Sequence, residues 1–310
     1  MLARIAAIAF NTYREAVRAR VLHGLFGLAL ATAGYALVVG AFAGRARLRV
    51  VSDLGAASIS VYGIIVAIVL GATSLYRELE LKTIFPILAR PLYRSEYLVG
   101  KFFGTLLTLL VFIAADTGAL LLALAPLSGR AAWPGAAIGV GSVAALVLLS
   151  WKLPRFRTAL PIPWALLLLG AGVLLSGAAP DDRRVLLGSA ALTLLEVGIV
   201  SALATLFSAF SSPFLTAVFT FGVFVVGRSA DVLANLPVRL FGEGVRFLGG
   251  AASRVVPNLM VYAPERPLLT GEAAGTSLGV YLGLAALHAL GWIAGLLAAA
   301  SLIFRRRDFL

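Results

Sequence analysis

The sequence predicts an all-α integral membrane protein, built as a polytopic helical bundle. Of the 310 residues, 61% are hydrophobic and 13% are charged, whereas about 25% of a typical soluble domain is charged. The mean hydropathy is +0.99. The apolar runs are about 20 residues long, which is the length of a helix that crosses the hydrocarbon layer and not that of the alternating strands of a barrel.

Composition also excludes several classes of function. The chain contains no cysteine and two histidines, so we expect neither disulfides nor a thiolate or His-rich metal site. The formal net charge is +12, but the basic residues are scattered between the apolar runs and are not gathered on one soluble face. We therefore expect contacts with membrane lipid and no binding of nucleic acid.

The chain is predicted to form a single transmembrane domain, residues 1–310, that begins with an interfacial helix at residues 1–20. Apolar residues between Leu2 and Ala16 can share one helical face, while Arg14 and Arg18 lie elsewhere. The alternative is a frayed basic tail. Because arginines interrupt this stretch, it lacks the apolar centre of a cleavable signal peptide.

The apolar runs predict about eight spans. They cover residues 21–44, 54–75, 98–124, 133–151, 161–179, 185–210, 214–234 and 276–304. The pair within residues 133–179 is rich in glycine and proline, so it is left open whether both of its helices cross the membrane. The third span opens with Gly100 and Gly104, a small-xxx-small pattern that permits close helix packing.

A long connection, residues 235–275, separates the last two spans. Its apolar residues repeat at helical spacing between Val238 and Leu248, so we expect an extracytoplasmic amphipathic or re-entrant helix there. Three prolines then break the chain before the last span. In this topology more than half of the 26 Lys and Arg residues lie on the side of the N-terminus. The positive-inside rule then places both termini in the cytoplasm.

One polar segment, residues 76–104, interrupts the apolar pattern between the second and third spans. Its charged residues are Arg77, Glu78, Glu80, Lys82, Arg90, Arg94, Glu96 and Lys101. Each charge in hydrocarbon would cost at least about 2.5 kcal/mol, so the segment must face water. The apolar stripe from Leu81 to Leu88 predicts a short amphipathic helix along the membrane face, which Pro86 interrupts and Pro91 ends. The alternative is a solvated connecting loop, but the closely alternating charge signs favour docking to a groove on another protein.

Short motifs in and around this segment are similar to those of a known family. Within it they are Arg77-Glu78-Leu79-Glu80, Thr83-Ile84, Ile87-Leu88, Arg90-Pro91, Arg94, Tyr97-Leu98 and Gly100-Lys101. Elsewhere they are Asn11-Thr12-Tyr13-Arg14-Glu15-Ala16, Leu206-Phe207-Ser208 with Ser212-Pro213, and Arg305-Arg306-Arg307-Asp308. The segment resembles the cytoplasmic coupling segment of permease subunits from ABC-type exporters of the second class, closest to the group associated with copper-enzyme maturation. That family has a six-span core, so the resemblance implies that residues 133–179 are an extra helix pair inserted between core spans three and four.

The resemblance implies a mechanism with two partners. A second permease copy pairs with this chain, and a separate ABC ATPase subunit docks under the coupling segment, residues 76–97. ATP and magnesium then belong to the ATPase, and this chain carries no cofactor, metal or catalytic residue. The sequence agrees, because its only Gly-Lys pair, Gly100-Lys101, does not fit the phosphate loop G-x-x-x-x-G-K-[ST]. Ser95 occupies the position of the first glycine, and Phe102 occupies the position of the Ser or Thr.

The expected contacts with the ATPase follow from the matching positions. They are Arg77, Glu78, Glu80, Lys82, Thr83, Arg90, Arg94 and Glu96. We expect the first three to be the principal contacts and the last two to position the return into the membrane. With no eukaryotic targeting signal, the expected location is a bacterial inner (plasma) membrane. The resemblance to the copper-enzyme-maturation group leaves open that this permease serves in assembling extracytoplasmic enzymes.

Two carboxyl groups, Asp116 and Glu196, fall midway along predicted spans, where they are costly. They indicate either a translocation path or buried structural pairs with a hydroxyl or with a base such as Arg228. The spacing of Arg228 and Asp231 predicts a pair on one helical face. We expect His288 to be a packed, hydrogen-bonded histidine and not a ligand.

Two rival functions remain. A proton-coupled secondary transporter would use Asp116 and Glu196, and it predicts discontinuous spans and internal repeats; no convincing repeat is present. An intramembrane enzyme would need a motif such as H-E-x-x-H or G-x-S-x-G, and neither occurs. The small number of polar groups in the spans favours a lipid-like or amphipathic cargo over a sugar or an ion.

Overall fold

A computed structural model describes residues 1–80, 93–129, 131–272, 275 and 277–306, without the side chains of residues 75–80, 238, 240, 241 and 306. Within this part of the chain the regular structure is helical. The α-helices are α1 (Leu2–Arg18), α2 (Arg20–Phe42), α3 (Arg47–Glu80), α4 (Arg94–Leu127), α5 (Ala132–Lys152), α6 (Pro161–Leu175), α7 (Pro180–Ser208), α8 (Pro213–Arg228), α9 (Ala230–Ala234), α10 (Val238–Val255), α11 (Arg266–Thr270) and α12 (Leu278–Arg306). Three short 3₁₀ turns cover Gly44–Ala46, Ser176–Ala178 and Leu259–Tyr262. The prediction of an all-α polytopic membrane protein is confirmed.

Helices α3, α4 and α7 form the centre of the bundle. A stripe of glycines on α3 lets the other two helices approach it. A Cβ atom at Gly55 would lie 3.0 Å from Leu120 of α4 and 3.2 Å from Leu186 of α7, and one at Gly63 would lie 3.2 Å from Thr193. Since lipid is as apolar as leucine, such close contact between helices replaces the hydrophobic effect as the source of packing energy in a membrane.

Seven helices of the described chain are long and apolar enough to cross a membrane. The eighth predicted span, residues 214–234, is not one helix, which corrects that prediction. Helix α8 ends at Arg228 after 16 residues, and Ser229 separates it from the five residues of α9. Helix α8 is therefore about 24 Å long, somewhat shorter than the hydrocarbon layer of about 30 Å.

The two helices within residues 133–179 both meet the length and hydropathy criteria for a span. Helix α6 packs on α4, where a Cβ atom at Gly172 would lie 2.8 Å from the Gly118 carbonyl oxygen. Helix α5 lies outermost, and it carries exposed tryptophans near its ends, Trp133 and Trp151. They are about 27 Å apart along the helix, so each can sit at one membrane interface.

The described part of the connection between α8 and α12 holds three helices, α9, α10 and α11, and a buried turn. Helix α10 is amphipathic but breaks at Gly242, where φ is 78°. The 3₁₀ turn after it is wedged into the bundle, because Leu259 and Tyr262 are buried and a Cβ atom at Gly227 would lie 2.9 Å from Leu259. The segment thus re-enters the packed interior, although its position outside the cytoplasm stays a prediction.

Candidate functional site: a lateral cavity and the base of the coupling segment

A cavity of about 770 Å³ lies between α3, α7, α8 and the turn that leads into α11. We call it the lateral cavity. Its polar and charged lining residues are Asp53, Ser60, Ser189, Thr193, Arg228, Ser229, Tyr262 and Arg266. The rest of its wall is formed mainly by aliphatic and phenylalanine side chains. This volume lies within the range of about 300–1,000 Å³ that is typical of small-molecule sites.

Glu196 and Arg228 form a bidentate ion pair at the wall of the lateral cavity. The Arg228 Nε and Nη2 atoms lie 2.6 Å from Oε1 and 2.7 Å from Oε2 of Glu196. Nη2 also donates to Ser60 Oγ at 2.9 Å, so α3, α7 and α8 are joined. Glu196 is fully buried, while Arg228 reaches the cavity. Of the two interpretations of Glu196, the pair with Arg228 is the arrangement in the structure.

The predicted pair of Arg228 and Asp231 is wrong. Helix α8 ends at Arg228, so the two residues do not share a continuous helical face. Asp231 accepts a hydrogen bond from Asn258 Nδ2 at 2.8 Å instead. This bond ties α9 to the residue that caps the buried 3₁₀ turn.

Arg266 is the centre of a second charged cluster, at the end of the cavity where α3 and α7 begin. Its guanidinium group pairs with Asp182 at 2.6 Å and with Asp53, and it donates to Ser52 Oγ at 3.0 Å. Ser52 in turn donates to Asp182 at 2.8 Å. Burial alone would lower the pKa of Arg266, but the two carboxylates raise it. The cluster holds α11 against two core helices.

Asp116 lies in α4, fully buried, and neither of its carboxylate oxygens has a hydrogen-bond partner within the described part of the chain. Its neighbours one turn away, Ile113 and Leu120, face Gly63 and Gly55 of α3. Asp116 therefore points toward the centre of the bundle and is not among the residues that line the lateral cavity. Neither Asp116 nor Glu196 is among the lining residues of the lateral cavity, and a translocation path through the two carboxyl groups stays a prediction.

His288 is held by hydrogen bonds at both ring nitrogens, as predicted. Trp292 Nε1 donates to Nε2 at 3.1 Å, so Nδ1 carries the proton and donates to the Tyr262 hydroxyl at 2.9 Å. That hydroxyl donates to the carbonyl oxygen of Ala285 at 3.2 Å. Among the described residues no group of three or more His, Asp or Glu side chains could hold a metal ion.

The base of the coupling segment is the region where α4 begins. Arg94 Nη1 donates to the carbonyl oxygens of Phe304 and Arg305 at 3.3 and 3.2 Å. Lys101 Nζ donates to the Ser74 carbonyl oxygen at 3.0 Å. These bonds join the first turns of α4 to the last turns of α12 and to α3.

Glu96 is buried in the same region and faces its own chain. It accepts a hydrogen bond from the backbone N–H of Tyr93 at 3.4 Å, in a capping box at the start of α4. Its carboxylate also lies 3.9 Å from the guanidinium group of Arg4 in α1. Both contacts fit the expectation that Glu96 positions the return into the membrane.

Helix α1 packs against the small-xxx-small pattern at the start of α4. A Cβ atom at Gly100 would lie 2.7 Å from Cβ of Ile8, and one at Gly104 would lie 2.5 Å from Cβ of Thr12. Tyr13 is fully buried, and this burial raises its pKa to about 12. The close packing that the glycines predict is present, and residues 2–18 are a docked helix.

The structure places the other predicted contacts only in part. Arg77, Glu78 and Glu80 belong to the last turns of α3, which continues through residues 76–80 without a break. The charged residues had indicated the start of a separate helix there, but this stretch contains no glycine or proline that would end α3. The side chains of these three residues are not described, and Lys82, Thr83 and Arg90, with the predicted amphipathic stripe, lie outside the described residues.

Sequence reasoning missed the Arg266 cluster, because its members are separated by more than 80 residues and no local pattern links them. It also missed that Gly55, Gly63 and Gly71 of α3 all face α7. A spacing of eight residues turns an α-helix by about 80° per step, so it does not mark a single helical face in the sequence.

The fold and its cavity are those of a polytopic helical membrane protein with room for a ligand. Residues 6–309 match the profile of the family described as ABC-2 family transporter protein. Because the match covers nearly the whole chain, the protein belongs to this family. It is a multi-pass membrane protein with the role of an ABC permease. No curated protein matches the chain.

Proposed function

We propose that this chain is the membrane subunit of an ATP-driven exporter. A separate ABC ATPase docks on the coupling segment, residues 76–97, and a second copy of the chain completes the transport path. Both termini lie in the cytoplasm, and the membrane is a bacterial inner membrane. The motif resemblance to the copper-enzyme-maturation group favours a use in assembling extracytoplasmic enzymes.

The observation that carries this proposal is the anchoring of the coupling segment at its base. Helices α3 and α4 have 34 residues each, or about 51 Å, which exceeds the 30 Å of the hydrocarbon layer. The excess length of the two helices, with the charged residues of positions 77–80 and 94–96 at its ends, therefore extends into water. The bonds from Arg94 to α12 and from Lys101 to α3 tie this projection to the bundle. A push on the segment is thereby transmitted to core helices.

The residues near the coupling segment divide into two roles. Arg77, Glu78 and Glu80, with Lys82, Thr83 and Arg90, are the proposed ATPase contacts. Arg94 and Glu96 are the proposed positioning residues, because Arg94 bonds to the end of α12 and Glu96 contacts Arg4 of α1. ATP and magnesium are bound by the partner.

Co-purification tests the proposal. The chain is co-expressed with the ABC ATPase encoded nearest to it and is purified through a tag on the chain. We expect Glu78→Ala with Glu80→Ala to reduce the recovered ATPase strongly without changing membrane insertion, because the pair supplies charge to the docking surface. The matched control is Glu243→Ala with Glu272→Ala, which removes the same charge at exposed positions in the proposed extracytoplasmic connection. Equal ATPase recovery with both double variants would contradict the contact assignment.

A second candidate, a proton-coupled secondary transporter, rests on Asp116, which is buried without a partner in the described chain. The break after α8 is also the kind of interruption that such transporters show. The ion pair between Glu196 and Arg228 counts against this candidate, because a paired Glu196 is not available as one of the two proposed proton carriers. Transport that follows the proton gradient and ignores ATP would favour this candidate.

A further inference from the structure

The lateral cavity changes in character along α3. Its lining residues on this helix run from Asp53 to Ile68, a distance of about 22 Å. Charged and hydroxyl groups line the part between Asp53 and Ser60, together with Arg266 and Arg228. Beyond Ser60 the part of the wall that α3 contributes is apolar, formed by Val61, Ile64, Ile65 and Ile68. A molecule that fills the cavity must therefore have one polar and one apolar end.

The polar part offers hydrogen-bond donors in excess. The Asp53 carboxylate, which lines the cavity, is paired with Arg266 and Arg49. The nearby carboxylates of Glu196 and Asp182 are occupied by Arg228 and Arg266. In contrast, no described residue accepts from Nη1 of Arg228, and the Ser189 hydroxyl has no partner among the described residues. An uncommitted guanidinium nitrogen in an apolar setting favours an acceptor oxygen, and a charged one most strongly.

The apolar part opens to the side of the molecule. Val61 and Ile65 of α3 and Phe221 and Val225 of α8 line the cavity and are all exposed, Val61 by 53% and Phe221 by 55%. These residues lie within apolar helices, so the opening faces the depth of the hydrocarbon layer. A ligand can consequently enter from the bilayer without passing through water.

We propose that the lateral cavity binds a lipid-like amphiphile from the bilayer, with an acyl chain along Ile64, Ile65 and Ile68 and an anionic oxygen head, carboxylate or phosphate, at Arg228. Transport of this ligand rests on the proposed exporter function. Binding itself does not, because every residue of the site belongs to this chain and ATP is not needed to fill the cavity.

Native mass spectrometry of the delipidated full chain in detergent, without any ATPase, tests the binding. The probes are palmitic acid, phosphatidylglycerol and hexadecanol, which has a similar chain but no anionic head. We expect one bound palmitate or phosphatidylglycerol per chain and weaker binding of hexadecanol. Binding of palmitate alone would identify a fatty acid site and binding of phosphatidylglycerol alone a phospholipid site; either supports the shared chemistry.

Two variants and a control separate the chain and head contacts. Ala57→Phe fills the cavity from an exposed lining position and should weaken binding of every probe about tenfold or more, whereas Ala298→Phe, on the exposed face of α12, should not. Glu196→Gln with Arg228→Gln removes the charges together. It should weaken binding of palmitate and phosphatidylglycerol but leave that of hexadecanol unchanged.

Three outcomes would overturn the proposal. They are undiminished binding in Ala57→Phe, hexadecanol binding as tight as palmitate binding, and efficient cross-linking of two Val61→Cys chains. The last result is readable because the chain has no native cysteine, and it would show that a second copy and not lipid covers the opening. Failure of the unmutated chain to co-purify with the ATPase, with lipid binding intact, would instead refute the exporter proposal alone.

Discussion

Glu196 and Arg228 are each costly in the interior of a membrane protein and are tolerable only together. The bidentate geometry and the bond to Ser60 satisfy most of their hydrogen-bonding capacity. Removing one partner leaves an uncompensated charge, whereas removing both leaves none. The energetics of the pair are therefore strongly non-additive.

We expect Glu196→Ala to lower the free energy of unfolding by about 3–5 kcal/mol, because the Arg228 charge loses its partner. The double variant Glu196→Gln with Arg228→Gln should recover much of this loss. Thermal unfolding in detergent, followed by tryptophan fluorescence, measures both. Asp231→Asn is the control, since its carboxylate is exposed and outside the pair. Additive losses in the double variant would show that the pair does not act as a unit.

For individual residues, the sequence predicted which charged side chains are buried better than it predicted which residues they pair with. The burial of Asp116 and Glu196 followed from their positions within apolar runs. Arg228 was named as a partner of Glu196, but the competing pair with Asp231 assumed a helix that continued past Arg228. The hydrophobic pattern does not show that α8 ends at Arg228, within the sequence Gly-Arg-Ser. The choice between Glu196 and Asp231 as the partner of Arg228 therefore needed the tertiary structure.

Helix α1 and the start of α4 depend on each other at the scale of elements. The contact works because Gly104 allows the backbone of one helix to reach the side chains of the other. Through Arg4 and Glu96 the same helix pair also supports the base of the coupling segment. Damage to the α1–α4 contact should therefore affect stability first and ATPase docking second.

Gly104→Ala should lower the free energy of unfolding by about 1–3 kcal/mol, as overpacking does in a tight core, because its Cβ atom would meet Thr12 at 2.5 Å. The matched control is Gly139→Ala in α5, where no atom lies within 4 Å of the added methyl group. Chemical unfolding in mixed detergent compares the two variants. If Gly139→Ala were as destabilising as Gly104→Ala, the packing explanation would be wrong.

The element boundaries show where sequence patterns succeed and fail. Long apolar runs marked the membrane helices because hydrocarbon thickness fixes their length. The end of α3 was misplaced because charge was taken as the end of the helix, whereas Arg77 and Glu80 are compatible with helical structure and simply extend it into water. Charged residues mark where the membrane-embedded part of a helix ends, but the helix itself can continue through them into water.

At the scale of the whole molecule, contacts between distant elements fix the relative positions of the two chain ends. Arg4 of α1 contacts Glu96, and Arg94 contacts Phe304 near the end of α12. The first and last helices therefore bring their outer ends to the same side of the bundle as the start of α4. This requires an even number of crossings, so we expect α8 to act as an eighth crossing beside the seven long helices.

An even number of crossings, together with the positive-inside rule, predicts that both chain ends lie in the cytoplasm. Single cysteines at Leu2 and Phe85 should react with a membrane-impermeant maleimide only after the cells are permeabilised, because this topology predicts both positions on the cytoplasmic side. Single cysteines at Arg45 and Gly250 should react in intact cells. The absence of native cysteine makes each label unambiguous. If the cysteines at Leu2 and Arg45 reacted from the same side of the membrane, α2 would not cross it and the predicted topology would be wrong. If all four cysteines reacted from the side opposite to the one predicted, the coupling segment would lie outside the cell, where no cytoplasmic ATPase could reach it.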